Sequence, residues 1–136
     1  MGLGRGMALD IAVVDDDPAF RDSLATLFER EGCSVRTYEG GDAFLDAVEQ
    51  GIQCDCLILE FHMPVRSGLD VLQAIGGTRY PTPVLMISGR ADIPTAVAAI
   101  KAGAYDFIEK PLEAEAMIER VQDAVRTYND RRTRSV

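Results

Sequence analysis

Asp15 and Asp16 follow the apolar run at residues 9–14, Glu60 closes a second at 56–59, Ser88 follows a third at 84–87, and Lys110 follows a fourth at 104–108. Runs of this length and aliphatic composition read as buried parallel strands, and residues just beyond the carboxyl ends of such strands gather in one crevice of an open α/β sheet. Three carboxylates facing one another at low dielectric repel strongly, so the set implies protonation or a bound cation. Hard oxygen ligands favour Mg²⁺, which keeps several waters and bridges one or two carboxylates to a phosphoryl oxygen, leaving a hydroxyl and an ammonium to meet the remaining charge. Asp15, Asp16, Glu60, Ser88 and Lys110 together therefore read as a phosphoryl-transfer site. Singly, a serine at a strand end or an acid before a helix is more often a cap than a catalyst. Placement at four strand ends is what gives the set meaning.

The elements that must position these groups alternate strictly. Asp17 caps a first helix, Pro18 suits its first position, Phe20, Leu24, Leu27 and Phe28 line one face, and Gly32 stops it. A second strand is expected at 33–37, then a helix from about Asp42 that buries Phe44, Leu45 and Val48 and ends at Gly51. Ser67 caps a helix carrying Leu69, Leu72 and Ile75 and closed by Gly76 and Gly77, and Asp92 caps one that runs through Val97 and Ile100 to Gly103. A last helix carries Met117, Val121 and Val125, with Glu113 and Glu115 early and arginines late, as the helix dipole favours. Five strands alternating with five helices predict an α/β fold, a doubly wound five-stranded parallel sheet with helices on both faces. Right-handed crossovers favour the flavodoxin-like order 2-1-3-4-5. In that order the crevice opens between strands 1 and 3, where Asp15, Asp16 and Glu60 emerge.

Composition bounds the function. With 136 residues, 47% hydrophobic and 26% charged, the chain suits one globular domain. A net charge of -8 repels a phosphate backbone, which argues against direct nucleic-acid binding despite the terminal Arg126, Arg131, Arg132 and Arg134. Neither a membrane-length apolar stretch nor a secretory signal core is present, so a cytoplasmic protein is expected. Three cysteines suit a reducing compartment, and Cys54 and Cys56 with the lone His62 do not complete a structural zinc set. The loop after strand 1 is acidic and lacks phosphate-cradling glycines, which sets aside a nucleotide or flavin-phosphate binder. Residues 1–8 read as a flexible leader, 9–128 as the domain, and 129–136 as a basic tail or the start of a linker.

Several segments carry a resemblance: Val13-Val14-Asp15-Asp16, Met63-Pro64 followed by Gly68, Pro83-Val84-Leu85-Met86-Ile87-Ser88, and Lys101-Ala102-Gly103-Ala104 leading to Lys110-Pro111. Over residues 9–128 the chain resembles the receiver domains of two-component response regulators. The wording Ser88-Gly89-Arg90-Ala91-Asp92-Ile93-Pro94 and Asp106-Phe107-Ile108-Glu109-Lys110-Pro111 is similar to receivers joined to helix-turn-helix transcription activators of the nitrogen-fixation type. The resemblance implies a phosphorelay signalling module, not a conventional enzyme, with Asp15, Asp16 and the backbone carbonyl of His62 around Mg²⁺. It implies Ser88 as the hydroxyl that meets the phosphoryl group, Phe107 as the switch aromatic, Lys110 as the phosphate-pairing cation, and a cis Lys110-Pro111 bond. Implied partners are a sensor histidine kinase and an effector domain or protein. The latter, or a second copy in a homodimer, would use the face of helix 4, strand 5 and helix 5, with Lys101, Asp106, Arg120 and Arg126 as candidates.

Glu60 stands where this family places its phospho-accepting aspartate, three residues before Met63-Pro64. The longer side chain reaches farther toward Lys110 and Ser88, mimicking part of the charge of a phosphoryl group with fewer acceptor oxygens. Four readings stay open: an unphosphorylatable receiver, an activated-state mimic, a substitution introduced by design, and phosphorylation of Glu60 itself with displaced geometry. Two further classes compete with a signalling receiver: an Mg²⁺-dependent phosphohydrolase using the same acids, and a purely structural interaction module whose crevice acids do nothing.

Overall fold

The computed structural model describes residues 7–77, 80–90 and 92–134. The elements are β1 (Asp10–Val14), α1 (Pro18–Arg30), β2 (Ser34–Tyr38), α2 (Gly41–Glu49), β3 (Cys56–Glu60), α3 (Gly68–Gly77), β4 (Val84–Ser88), α4 (Ile93–Lys101), β5 (Asp106–Glu109) and α5 (Ala114–Arg134). All five strands are parallel and lie in the order β2-β1-β3-β4-β5, the order expected from the sequence. The register sets Val14 beside Leu59 and Glu60 beside Ile87, so the carboxyl ends of β1, β3 and β4 step outward by one residue each.

Period-two alternation splits each central strand between two cores. Ile11, Val13, Ile58, Leu85 and Ile87 pack on one face against Leu24 and Phe28 of α1 and Met117 and Val121 of α5. Ala12, Val14, Leu57, Leu59 and Met86 pack on the other against Phe44 of α2 and Val71, Leu72 and Ile75 of α3. Every residue of β3 and β4 is buried, including the terminal Glu60 and Ser88. A polar group there must find a partner inside the protein.

Helix ends follow local chemistry. The side chain of Asp17 accepts from the Ala19 amide at 3.0 Å, and that of Asp92 accepts from the Thr95 amide at 2.8 Å. Ser67 and Asp70 cap reciprocally, amide to side chain in both directions. Gly32, Gly51 and Gly103 take positive φ at 94°, 95° and 112°, the left-handed turn that ends a helix without a Cβ clash.

Several boundaries differ from the sequence reading. Strand β5 begins at Asp106 rather than 104, because the Ala104 amide is spent closing α4 on the Ala99 carbonyl. Strands β3 and β4 extend by one residue to include Glu60 and Ser88, while β1 and β2 begin one residue later than expected. Helix α2 starts at Gly41, one residue before Asp42. Helix α3 runs through Gly76 and Gly77 instead of closing before them. Val97 and Ile100, which mark α4 in the sequence, face outward with Ile93, and Ala99 is the buried residue of that helix. Helix α5 continues to Arg134, past the boundary expected at 128, so the start of the basic tail is helical. Residues 1–6 of the expected leader, Ala91, and the last two residues lie outside the described residues, as does the Arg134 side chain. Met7 of that leader is tied down: its amide donates to the Glu31 carbonyl at 3.1 Å and its side chain packs on the core.

Candidate functional site

Asp15 follows β1 immediately and is 1% exposed; Glu60 ends β3 and is 4% exposed. Between them lies the ammonium of Lys110, just beyond β5, with Nζ 2.8 Å from Asp15 Oδ2 and 2.8 Å from Glu60 Oε1. Each contact supplies an attraction of roughly 6 kcal/mol at an effective dielectric near 20. Desolvating each ion costs several kcal/mol, so the trio stands near balance, and removing the cation alone would leave two buried carboxylates uncompensated.

The second oxygen of each acid is also engaged. Asp15 Oδ1 accepts from the Asp17 amide at 2.9 Å, and Glu60 Oε2 accepts from the His62 amide at 3.0 Å. Both acids therefore hold Lys110 with one oxygen while the other accepts from the backbone amide two residues on. Burial pushes the Asp15 carboxyl above its ordinary range, against the pull of Lys110 and the Asp17 amide. Burial by itself would lower Lys110, but its bonds to Asp15 and Glu60 outweigh that and hold the ammonium above its ordinary value.

Other sequence-predicted residues sit close without joining this trio. The Ser88 hydroxyl, fully buried, accepts from the Arg90 amide at 3.0 Å and makes no hydrogen bond to Glu60. Asp16 is exposed. Consecutive residues leaving a strand point to opposite sides, so Asp15 turns inward and Asp16 outward. The convergence of three carboxylates expected from the sequence is thus a convergence of two, with an ammonium between them. His62 meets Glu60 through its amide, and its ring lies exposed with its centroid 4.9 Å from that of Phe61. Phe107 is half-buried, its ring edge-on to Phe61 with centroids 6.4 Å apart. The Lys110-Pro111 bond is cis, as the resemblance implied.

The oxygen donors of Asp15, Asp16 and Glu60 suit Mg²⁺ in kind. As they lie, Lys110 holds one oxygen of each buried acid, and among the described residues no three His, Cys, Asp or Glu side chains group so as to hold a metal ion.

Three neighbours of the site carry no signal of that role in the sequence. The Arg21 guanidinium donates to the Asp15 carbonyl at 2.7 Å. Lys110 Nζ lies 4.1 Å from the centroid of the Phe20 ring. Gly68 approaches the β3 end so closely that a Cβ would stand 2.2 Å from the Glu60 carbonyl oxygen. Phe20 reads in the sequence only as an apolar helix position. Gly68 was visible within the motif that follows Met63-Pro64, although its steric reason was not.

Charges on the outer face of β5 and α5 are paired locally: Arg120 with Asp106 at 2.7 Å, and Arg126 with Asp123 at 3.2 Å. Beside them α4 exposes Ile93, Val97 and Ile100 at a helical spacing of four and three residues.

Residues 11–122 match the family model described as the response regulator receiver domain. The transcriptional regulatory protein FixJ of Bradyrhizobium diazoefficiens is 38% identical over 116 residues, covering 85% of this chain and 56% of that protein. The response regulator protein TmoT of Ectopseudomonas mendocina is 41% identical over 116 residues, covering 85% of this chain and 52% of that protein. The crystal structure of NtrX from Brucella abortus superposes with a TM-score of 0.88 at 38% identity, over 95% of this chain and 30% of that one. The chain thus spans about half the length of these two relatives.

Proposed function

The chain belongs to the response regulator receiver domain family of two-component systems, and from that premise we propose that it is a receiver whose output no longer depends on phosphorylation. Receiver domains generally are not enzymes, bind Mg²⁺, and work with histidine kinases and effector domains. In this reading Glu60 occupies the phospho-acceptor position, and its carboxylate takes the contact with Lys110 that a phosphoryl group would otherwise take. The observation that carries it is the pair of 2.8 Å contacts from Lys110 to Glu60 and Asp15, with the other Glu60 oxygen held by the His62 amide. Both Glu60 oxygens are engaged, which holds the carboxylate in place and weighs equally against attack on a phosphodonor and against a phosphohydrolase.

The mimicry is partial. Lys110 is engaged as an activated site requires, but Ser88 bonds the Arg90 amide rather than Glu60. Phe107 is only half-buried. Of the open readings, these contacts favour an unphosphorylatable receiver held by its lysine, with the hydroxyl and aromatic parts of the switch uncommitted. The protein is read as cytoplasmic, and among the described residues no helix is long and apolar enough to cross a membrane. Its effector, or a second copy, docks on the face of α4, β5 and α5, where Ile93, Val97 and Ile100 supply apolar area beside Lys101, Asp106, Arg120 and Arg126. Asp15, Asp16 and the His62 carbonyl are the oxygen donors that Mg²⁺ would meet once Lys110 had moved.

The test is intact-protein mass after incubation with Mg²⁺ and acetyl phosphate, for the wild type and Glu60→Asp side by side. Gain of a phosphoryl group by the aspartate form alone supports the reading. Phosphorylation of the wild type contradicts it, and failure of both shows that the pocket is not a receiver site.

A further inference from the structure

The ammonium of Lys110 has three N–H bonds, and Asp15 Oδ2 and Glu60 Oε1 take two of them. On another side Nζ lies 4.1 Å from the centroid of the Phe20 ring, within range for a cation over an aromatic face. We propose that Phe20 is a positioning residue for Lys110: its ring occupies the side of the ammonium that water would otherwise take and so keeps the cation on the two carboxylates. The proposal rests on the reading of Lys110 as held by Glu60 and adds a determinant of that hold from outside the strand-end set.

Helix α1 is fixed in the register this requires. The Asp17 amide donates to Asp15 Oδ1 at 2.9 Å, the Asp17 side chain accepts from the Ala19 amide at 3.0 Å, and Arg21 donates to the Asp15 carbonyl at 2.7 Å. The helix start is therefore tied to the same residue that Lys110 binds, and Phe20 lies between the second and third of those ties. Asp15, Asp17, Ala19, Phe20 and Lys110 form a closed loop of contacts. Phe20 is also partly buried against the core that α1 and α5 share. A leucine or methionine there keeps an apolar filling but has no π-face to offer a cation.

The Lys110 ammonium resonance in ¹H–¹⁵N spectra tests this, because exchange of its protons with water is slow only while the group is held and shielded. The arms are wild type, Phe20→Leu, Phe20→Met, Phe20→Tyr and Glu60→Gln, with backbone amide spectra reporting the fold. The expected result is slow exchange in the wild type and Phe20→Tyr, and exchange accelerated about 5-fold in the leucine or methionine variant, as the loss of roughly 1 kcal/mol implies. A folded leucine or methionine variant with exchange as slow as the wild type overturns the role of Phe20. Methionine and leucine differ in shape, so one of them serves if the other fails to fold. If neither folds, Phe20 is a core residue and the positioning role is overturned. Fast exchange in Glu60→Gln supports the underlying hold on Lys110, and slow exchange there removes that hold whatever Phe20 does. The two failures are thereby distinguishable.

Discussion

The two ends of the sheet handle buried polar groups in opposite ways. At the carboxyl end, two buried carboxylates meet an ammonium at 2.8 Å each. At the amino end, the polar groups below β3 and β4 are neutral: Tyr80 donates to the Ile52 carbonyl at 3.1 Å, Thr82 to the Cys54 carbonyl at 2.7 Å, and the Cys54 sulfur lies 3.5 Å from the Tyr80 hydroxyl. Burial pushes both the Cys54 thiol and the Tyr80 phenol upward, so these two groups stay uncharged at neutral pH. Neutral hydrogen-bonded groups can be buried at little net cost, whereas ions need opposite charge beside them. Buried ions are thus found at the carboxyl end, and the far end buries neutral groups.

Lys110→Met should be the most damaging change at the charged end, costing about 3–5 kcal/mol in urea unfolding at neutral pH, because it strands Asp15 and Glu60 without a cation. A loss under about 1 kcal/mol would mean that water already solvates the acids. The same variant should bind Mg²⁺ more tightly than the wild type by calorimetry, since the competing ammonium is gone. Gly68→Ala should cost about 3 kcal/mol, the new Cβ meeting backbone rather than a side chain that can swing away. At the neutral end, Tyr80→Phe should cost only about 1 kcal/mol by the same denaturation measurement. A cost equal to that of Lys110→Met would erase the contrast between the two ends.

Two smaller effects sharpen it. Val65, a β-branched residue at φ 68° and 96% exposed, has little packing to offset its backbone conformation. Val65→Gly should therefore raise stability by about 0.5–1 kcal/mol, measured as the urea midpoint. The raised Lys110 value adds a pH signature. Its contribution to stability is fully present below 10.5, the ordinary lysine value, and is lost as pH climbs through the raised one. Asp15, also raised, loses its contribution in the acid range, as pH rises from its ordinary 3.8 through the raised value. Thermal unfolding of the wild type against Glu60→Gln should show the difference between them shrinking in strongly alkaline buffer.

The sheet order, the strand-end placement of Asp15, Glu60, Ser88 and Lys110, and the caps at Asp17 and Asp92 were legible because apolar period and capping chemistry are local signals. Which oxygen bonds which hydrogen was not, since Lys110 meets Asp15 across 95 residues of chain. Asp16 looked equivalent to Asp15 in the sequence, and only the alternation of side chains beyond the strand separates them. The start of β5 was misplaced because the aliphatic run at 104–108 does not reveal that Ala104 closes a helix. Phe20 and Arg21 look ordinary until α1 is laid against the crevice.

A double-mutant cycle between Lys110→Met and Glu60→Gln, read by urea unfolding at neutral pH, addresses the central claim most directly. The account predicts a coupling of about 1–3 kcal/mol, with the double variant more stable than the two single losses would sum to. Additive losses would mean that Glu60 does not hold Lys110, and the receiver would have to be locked, if at all, by something else.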